Sequence, residues 1–226
     1  MSFNLLISWQ VLCVYLICLK SVLSLDSDPV FLEDELPVET IEEVHVADSF
    51  HKADDFHNDY NDFYDFDVID IEGDNVSLDT YRGMVTLVVN VASECGYTDG
   101  HYRSLVRLQN KLGQHNKFSV LAFPCNQFGE QEPGTRKEIQ AFTKKYYHIN
   151  FPLFDKINVL PPNVAEPWEF LIKSARVAPN WNFWKYLVDE NGHVLNAWGP
   201  AESVEDIFYE VRDAVNKIST HAYDEL

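Results

Sequence analysis

The spacing of apolar and polar positions changes period repeatedly along this chain, and each change marks an element. Met84 to Val91 is an apolar run, and Tyr102, Leu105, Val106, Leu108 and Leu112 follow it at helical intervals. That order predicts a buried strand, a short loop and then an amphipathic helix. Upstream, Phe66 to Ile71 reads as a first strand, and Glu72-Gly-Asp-Asn75 as a turn into a second short one. Downstream, Phe118 to Pro124 is an apolar strand, and Thr135 with Glu138 forms a capping box opening a helix to about Tyr147. Phe151-Pro-Leu-Phe154 is a short extended piece, and Pro167 to Ala175 a helix. Tyr186 to Val188 and Val194 to Trp198 flank Asp189-Glu-Asn-Gly192, a hairpin signal. Ser203 with Asp206 opens a final helix to about Ser219. No internal repeat is visible. Strand, helix, strand, helix, hairpin and helix predict an α/β protein: a thioredoxin-like fold with a central mixed sheet flanked by helices.

The ends of the chain follow other rules. Leu5 to Leu19 is apolar except for Ser8 and Gln10. It is short for a bilayer span and suits a signal-peptide core, with Val22 and Ser24 placed for cleavage after Ser24. Met1-Ser-Phe-Asn4 carries no Lys or Arg, so a retained anchor is the alternative. The chain closes on Tyr223-Asp-Glu-Leu226, one substitution from the Lys-Asp-Glu-Leu retrieval signal. Together the two ends predict the endoplasmic reticulum lumen, with membrane anchoring or secretion as alternatives.

The expected organisation is therefore a signal peptide over 1–24, an acidic extension without fixed structure over 25–62, a folded domain over 63–222 and a retrieval-like tail over 223–226. Of the formal charge of −19, much sits early: residues 26–67 hold fifteen Asp and Glu against the single Lys52. Such a surface repels phosphates and excludes nucleic acid as a partner. The same segment carries His45, His51 and His57, which leaves weak calcium binding or docking of a basic partner as a competing function for the protein. Asn75-Val-Ser77 is a glycosylation sequon on a predicted turn.

Candidate chemistry centres on cysteine. Cys13 and Cys18 leave with a cleaved signal, so Cys95 and Cys125 remain, either as a structural bridge or as a redox couple. Cys95 falls in the loop between the predicted strand and helix. Helix N–H groups there favour a thiolate over a thiol, and a buried structural cysteine is the alternative. His101 and His148 are expected at the surface or on helix flanks, Trp184 and Trp198 in structural roles, and Tyr97 and Phe183 around the mouth of the site. Glu94 is the nearest acid in sequence, and water is the expected proton source.

Three motifs in this order and spacing resemble the glutathione peroxidases, from about Phe66 to Ser219, and most closely the endoplasmic-reticulum cysteine-type branch (types 7 and 8). They are Asn90-Val-Ala-Ser-Glu-Cys-Gly96, Ala122-Phe-Pro-Cys-Asn-Gln-Phe-Gly129 and Trp181-Asn-Phe-Trp-Lys-Tyr-Leu187, with Glu132-Pro133 and Phe151-Pro152 in agreement. The resemblance implies a peroxidase in which Cys95 attacks a hydroperoxide, surrounded by Gln127, Trp181 and Asn182, with no cofactor and no metal. Relatives often carry a resolving cysteine on the helix before Phe151-Pro152. This chain has none between Ile139 and Phe151, which leaves Cys125 as the possible resolving cysteine, or an external thiol. The long insertion that builds tetramers in some relatives is also missing, which implies a monomer. No Arg cluster accompanies the motifs to hold glutathione carboxylates, and the resemblance implies protein disulfide isomerase as reductant, with glutathione as the alternative.

Overall fold

The computed structural model describes residues 60–224. The expected signal peptide, the acidic extension up to residue 59 and the last two residues of the retrieval-like tail lie outside the described residues. Two short antiparallel strands, β1 (Asp67–Ile69) and β2 (Asn75–Ser77), precede the main sheet. The main sheet is built from β3 (Val85–Val91), β4 (Phe118–Pro124), β5 (Lys185–Val188) and β6 (Val194–Trp198) in the order β4-β3-β5-β6. β3 pairs parallel with β4 and antiparallel with β5, and β5 pairs antiparallel with β6. Among the described residues four α-helices accompany the sheet: α1 (Thr98–Leu112), α2 (Arg136–Tyr147), α3 (Glu166–Ala175) and α4 (Phe208–Asp224). This is the expected mixed α/β sheet with flanking helices.

All seven residues of β3 and all seven of β4 are buried, as central strands covered on both faces must be. Their side chains alternate between two cores. Leu87, Val89, Val91, Val120 and Ala122 pack with Tyr102 and Leu105 of α1 and Val211 of α4. Val88, Leu121, Phe123 and Tyr186 pack on the other core with Trp168 of α3 and the buried Phe63 and Tyr64. The free edge of β4 is covered by the predicted extended piece: Ala122 N–H donates to Pro152 O, and Phe154 N–H to Ala122 O. Isolated bridges replace a full strand there.

The chain enters the fold at Tyr60, whose ring packs 4.2 Å from that of Phe66. Asp62 then caps a 3-10 turn over Phe63–Asp65. Arg82 collects Asp62, Asp65 and Asp79 within 3.0 Å. Tyr60 to Asp62, expected to close the extension, thus belong to folded structure. Gly192 of the β5–β6 hairpin has φ +89, and a Cβ there would collide with Asp62, so glycine is required. The capping box of Thr135 and Glu138 forms as predicted. The Ser203–Asp206 pair also forms its reciprocal bonds, but regular α-helix starts only at Phe208. The bonds of the intervening turn are long, at 3.3–3.4 Å from Phe208 N to Glu205 O and from Ile207 N to Ser203 O. Asn75 of the sequon is exposed and opens β2.

Candidate active site

Cys95 lies just past the end of β3 and three residues before α1. Its backbone N–H donates to Thr98 Oγ1 (3.1 Å), and the same hydroxyl donates to Ala92 O (2.7 Å). Cys95 O in turn accepts from Thr98 N–H (3.0 Å). One threonine therefore fixes the loop at both ends, and Cys95 is 8% exposed. No side chain caps the start of α1; the Thr98 N–H is taken by Cys95 O, which leaves the N–H groups of Asp99 and Gly100 as the open donors of the first turn.

The Trp181-Asn182 segment is fastened to the end of β3 by Asn90. Asn90 Nδ2 donates to Trp181 O (3.1 Å), its Oδ1 accepts from Trp184 N–H (2.8 Å), and its backbone O accepts from Phe183 N–H (2.7 Å). Between those bonds Phe183 is held at φ +66, a left-handed conformation rare for an aromatic residue. Asn182 is fully buried, whereas the Trp181 ring is 38% exposed. Asn182 Nδ2 donates to Gln131 Oε1 (3.0 Å), and Gln131 O accepts from Glu94 N–H, beside Cys95 (3.0 Å). Hydrogen bonds thus tie Gln131 and Asn182, with Trp181 beside them in the chain, to the residue before Cys95.

Gln127 is placed elsewhere. Its Oε1 accepts from Val159 N–H (2.6 Å) and Leu160 N–H (2.8 Å), and its Nε2 donates to Leu160 O (2.9 Å). That amide is committed to bracing a loop. Gln131, four residues later, is the glutamine that the structure joins to Asn182.

The glutathione peroxidase family pattern matches residues 63–172. Glutathione peroxidase 7 of Bos taurus is 52% identical over 157 residues, covering 70% of this chain and 84% of that one. The probable glutathione peroxidase 8 of Homo sapiens is 46% identical, covering 70% and 75%. This chain belongs to the glutathione peroxidase family. Among solved structures, T. cruzi GPX1 is 31% identical with a TM-score of 0.55, covering 69% of this chain and 97% of that one. A putative protein disulfide isomerase from Bacteroides thetaiotaomicron, 16% identical at TM-score 0.50, shares the thioredoxin-like fold. The protein is thus a peroxidase, of the group that contains glutathione peroxidases 7 and 8.

In this peroxidase both Cys95 and Cys125 are free thiols. They belong to different cores: Cys95 packs with the α1 side of the sheet, and Cys125 with the α3 side. Cys125 is fully buried, and burial pushes its thiol above the ordinary value. The two thiols are not bonded to each other in this structure. Two further expectations change. His101 is buried, not at the surface: its ring lies 4.9 Å from that of Phe183, and its Nε2 is 3.4 Å from Lys185 Nζ. Phe183 is fully buried, away from any opening, while Tyr97 is 42% exposed. Buried Lys185 also donates to Phe183 O (2.9 Å) and Gly199 O (2.8 Å), so its ammonium has three acceptors. Burial lowers it to about 8, and burial with the Lys185 charge lowers His101 to about 4.

The buried acid near the Cys95 loop is Glu132, whereas Glu94, within the loop, is exposed. Glu132 is fully buried, and neither carboxylate oxygen has a hydrogen-bond partner within good geometry. Burial raises it to about 7, with Ser93 and Lys156 pulling it partly back. Between about pH 4.5 and 7 the native state keeps a proton that the unfolded chain has released. The associated stability is therefore complete below pH 4.5 and is lost as pH rises through 7. The displacement from 4.5 to about 7 corresponds to roughly 3 kcal/mol. Urea unfolding of wild type and Glu132→Gln tests this. From pH 5.5 to 8 the wild type should lose about 2 kcal/mol more than the variant. Parallel pH profiles would contradict it.

Proposed function

We propose that this chain is a cysteine-based thiol peroxidase of the secretory pathway. In this reading Cys95 takes an oxygen atom from hydrogen peroxide or an organic hydroperoxide, and an external thiol restores it. The observation that carries the reading is Cys95 on a fixed turn before an uncapped helix, with Gln131 and Asn182 joined beside it. The Cys95 thiolate attacks the near peroxide oxygen; the S–O bond forms as the O–O bond breaks, and the departing oxygen takes a proton. The Gln131 amide, whose Oε1 is occupied by Asn182, has its N–H groups left to donate to the oxygens. The exposed Trp181 indole supplies a further N–H.

The resulting sulfenic acid condenses with a thiol, releasing water and leaving a mixed disulfide that a second thiol resolves. Because Cys125 packs in the opposite core, the second step falls to an outside thiol. A protein dithiol such as that of protein disulfide isomerase suits the acidic chain, of formal charge −19, better than glutathione with its two carboxylates. The apolar Leu5–Leu19 run and the Tyr223-Asp-Glu-Leu226 ending support the endoplasmic reticulum lumen.

Cys125→Ala should leave both the peroxide step and turnover with a protein dithiol within about twofold of wild type, since it removes only packing and one weak S–H bond to Gln127 Oε1 (3.7 Å). Stopped-flow peroxide reduction followed by a coupled dithiol assay measures both. Loss of the second step alone would show that the fold opens to bring Cys125 to Cys95.

A further inference from the structure

The mechanism above leaves one demand unmet: the oxygen that departs from a hydroperoxide is strongly basic and needs a proton as the O–O bond breaks. We propose that Glu132 is the proton store for this step, its carboxyl delivering through the Ser93 hydroxyl to the departing oxygen. This rests on Cys95 being the nucleophile.

The Glu132 carboxyl, the Ser93 hydroxyl and the Tyr102 hydroxyl are buried without a well-aligned hydrogen bond, and Ser93 and Tyr102 both lie close enough to Glu132 to interact with its charge. Buried polar atoms without well-aligned partners are costly and uncommon, so a cluster of three calls for a role. Ser93 belongs to the Cys95 loop, and Glu132 directly follows Gln131, whose side chain joins Asn182. Glu132 is itself fixed by its backbone, its N–H donating to Asn126 Oδ1 (2.8 Å). Glu132 and Ser93 line one cleft of ≈ 400 Å³ with Glu94, Gly134, Glu138 and Phe142. Glu94 and Glu138 are exposed, which gives the store a side from which to refill.

The charged and titratable groups around Glu132 are Tyr102 from α1, Cys125 after β4, Glu94 from the loop, Glu138 from α2, and Lys156, whose Nζ donates to Gly134 O (2.8 Å). Burial dominates over all of them and keeps the carboxyl protonated to about pH 7. The step balances: thiolate, hydroperoxide and the Glu132 acid give sulfenic acid, alcohol or water, and the Glu132 carboxylate. Sulfur loses two electrons, the O–O bond gains them, and solvent later returns the proton.

The test is leaving-group dependence. A peracid expels a weakly basic carboxylate and needs no proton; hydrogen peroxide and tert-butyl hydroperoxide expel hydroxide and alkoxide. At pH 6.5, Glu132→Gln should react about 10²-fold more slowly with hydrogen peroxide, but within about threefold of wild type with peracetic acid. Alkylation of Cys95 by iodoacetamide, which needs no acid, should stay within about twofold. Ser93→Ala should follow the same pattern. An equal loss with both oxidants, or no loss with either, overturns the proposal while leaving Cys95 in place. If Glu132→Gln does not fold, the wild type decides: its rates should depend only weakly on leaving-group basicity, and a steep dependence overturns the proposal. Should wild-type Cys95 gain no oxygen from any of these oxidants, the peroxidase assignment of Cys95 falls as well.

Discussion

Cys95→Ser lowers the rate of peroxide consumption by at least about 10³-fold, with the fold intact. The two side chains differ by one atom, and the position is nearly closed to solvent, at 8% exposure. The backbone bonds that hold the loop run through Thr98 and do not involve the sulfur, so the variant keeps the geometry of the site. What disappears is the nucleophile: a serine hydroxyl does not ionise near neutrality and has no neighbouring base to activate it, whereas a thiolate attacks oxygen directly. Thermal unfolding should be close to wild type while turnover is lost. Turnover within tenfold of wild type would place the chemistry on another residue.

Gln131→Ala and Gln127→Ala should separate two roles that look alike in the sequence. Gln131 Oε1 accepts from Asn182 Nδ2 at 3.0 Å, and in the proposed mechanism its N–H groups donate to the peroxide oxygens. Truncating a preorganised donor of this kind costs about 10²-fold in the peroxide step, with only a small change in stability. Gln127 braces Val159 and Leu160 through three hydrogen bonds. Its loss strands two backbone N–H groups and one carbonyl, a destabilisation of about 2 kcal/mol, with the peroxide rate within about threefold of wild type at temperatures where the protein stays folded. Urea unfolding and stopped-flow rates on both variants read the two effects. The reverse pattern would restore Gln127 to the site.

The parts of this architecture that were legible in the sequence are those set by local physics. β4 occupies the predicted Phe118–Pro124 because the run is apolar without interruption, as a strand buried on both faces requires. α2 begins at the predicted capping box, and the hairpin turns at Gly192, where the backbone needs a positive φ. The final helix was less legible: Ser203 and Asp206 bond as a box does, yet loose bonds delay the regular helix to Phe208. Side-chain direction in loops was harder still. Gln127 and Gln131 share one loop, and only the packing of the 159–160 segment decides which of them turns inward. His101, Lys185 and Glu132 are polar by type, and their burial follows from contacts among distant elements that no local pattern records. One signal was available: Gln131-Glu132 directly precedes Pro133 in the matching Glu-Pro motif.

The most direct test of the whole account is intact mass and site mapping of the purified protein after one equivalent of hydrogen peroxide. The account predicts the gain of one oxygen atom, carried by Cys95 and removed by added dithiol, with no bond to Cys125. An unchanged mass, or oxygen found on any other residue while Cys95 stays reduced, would contradict it.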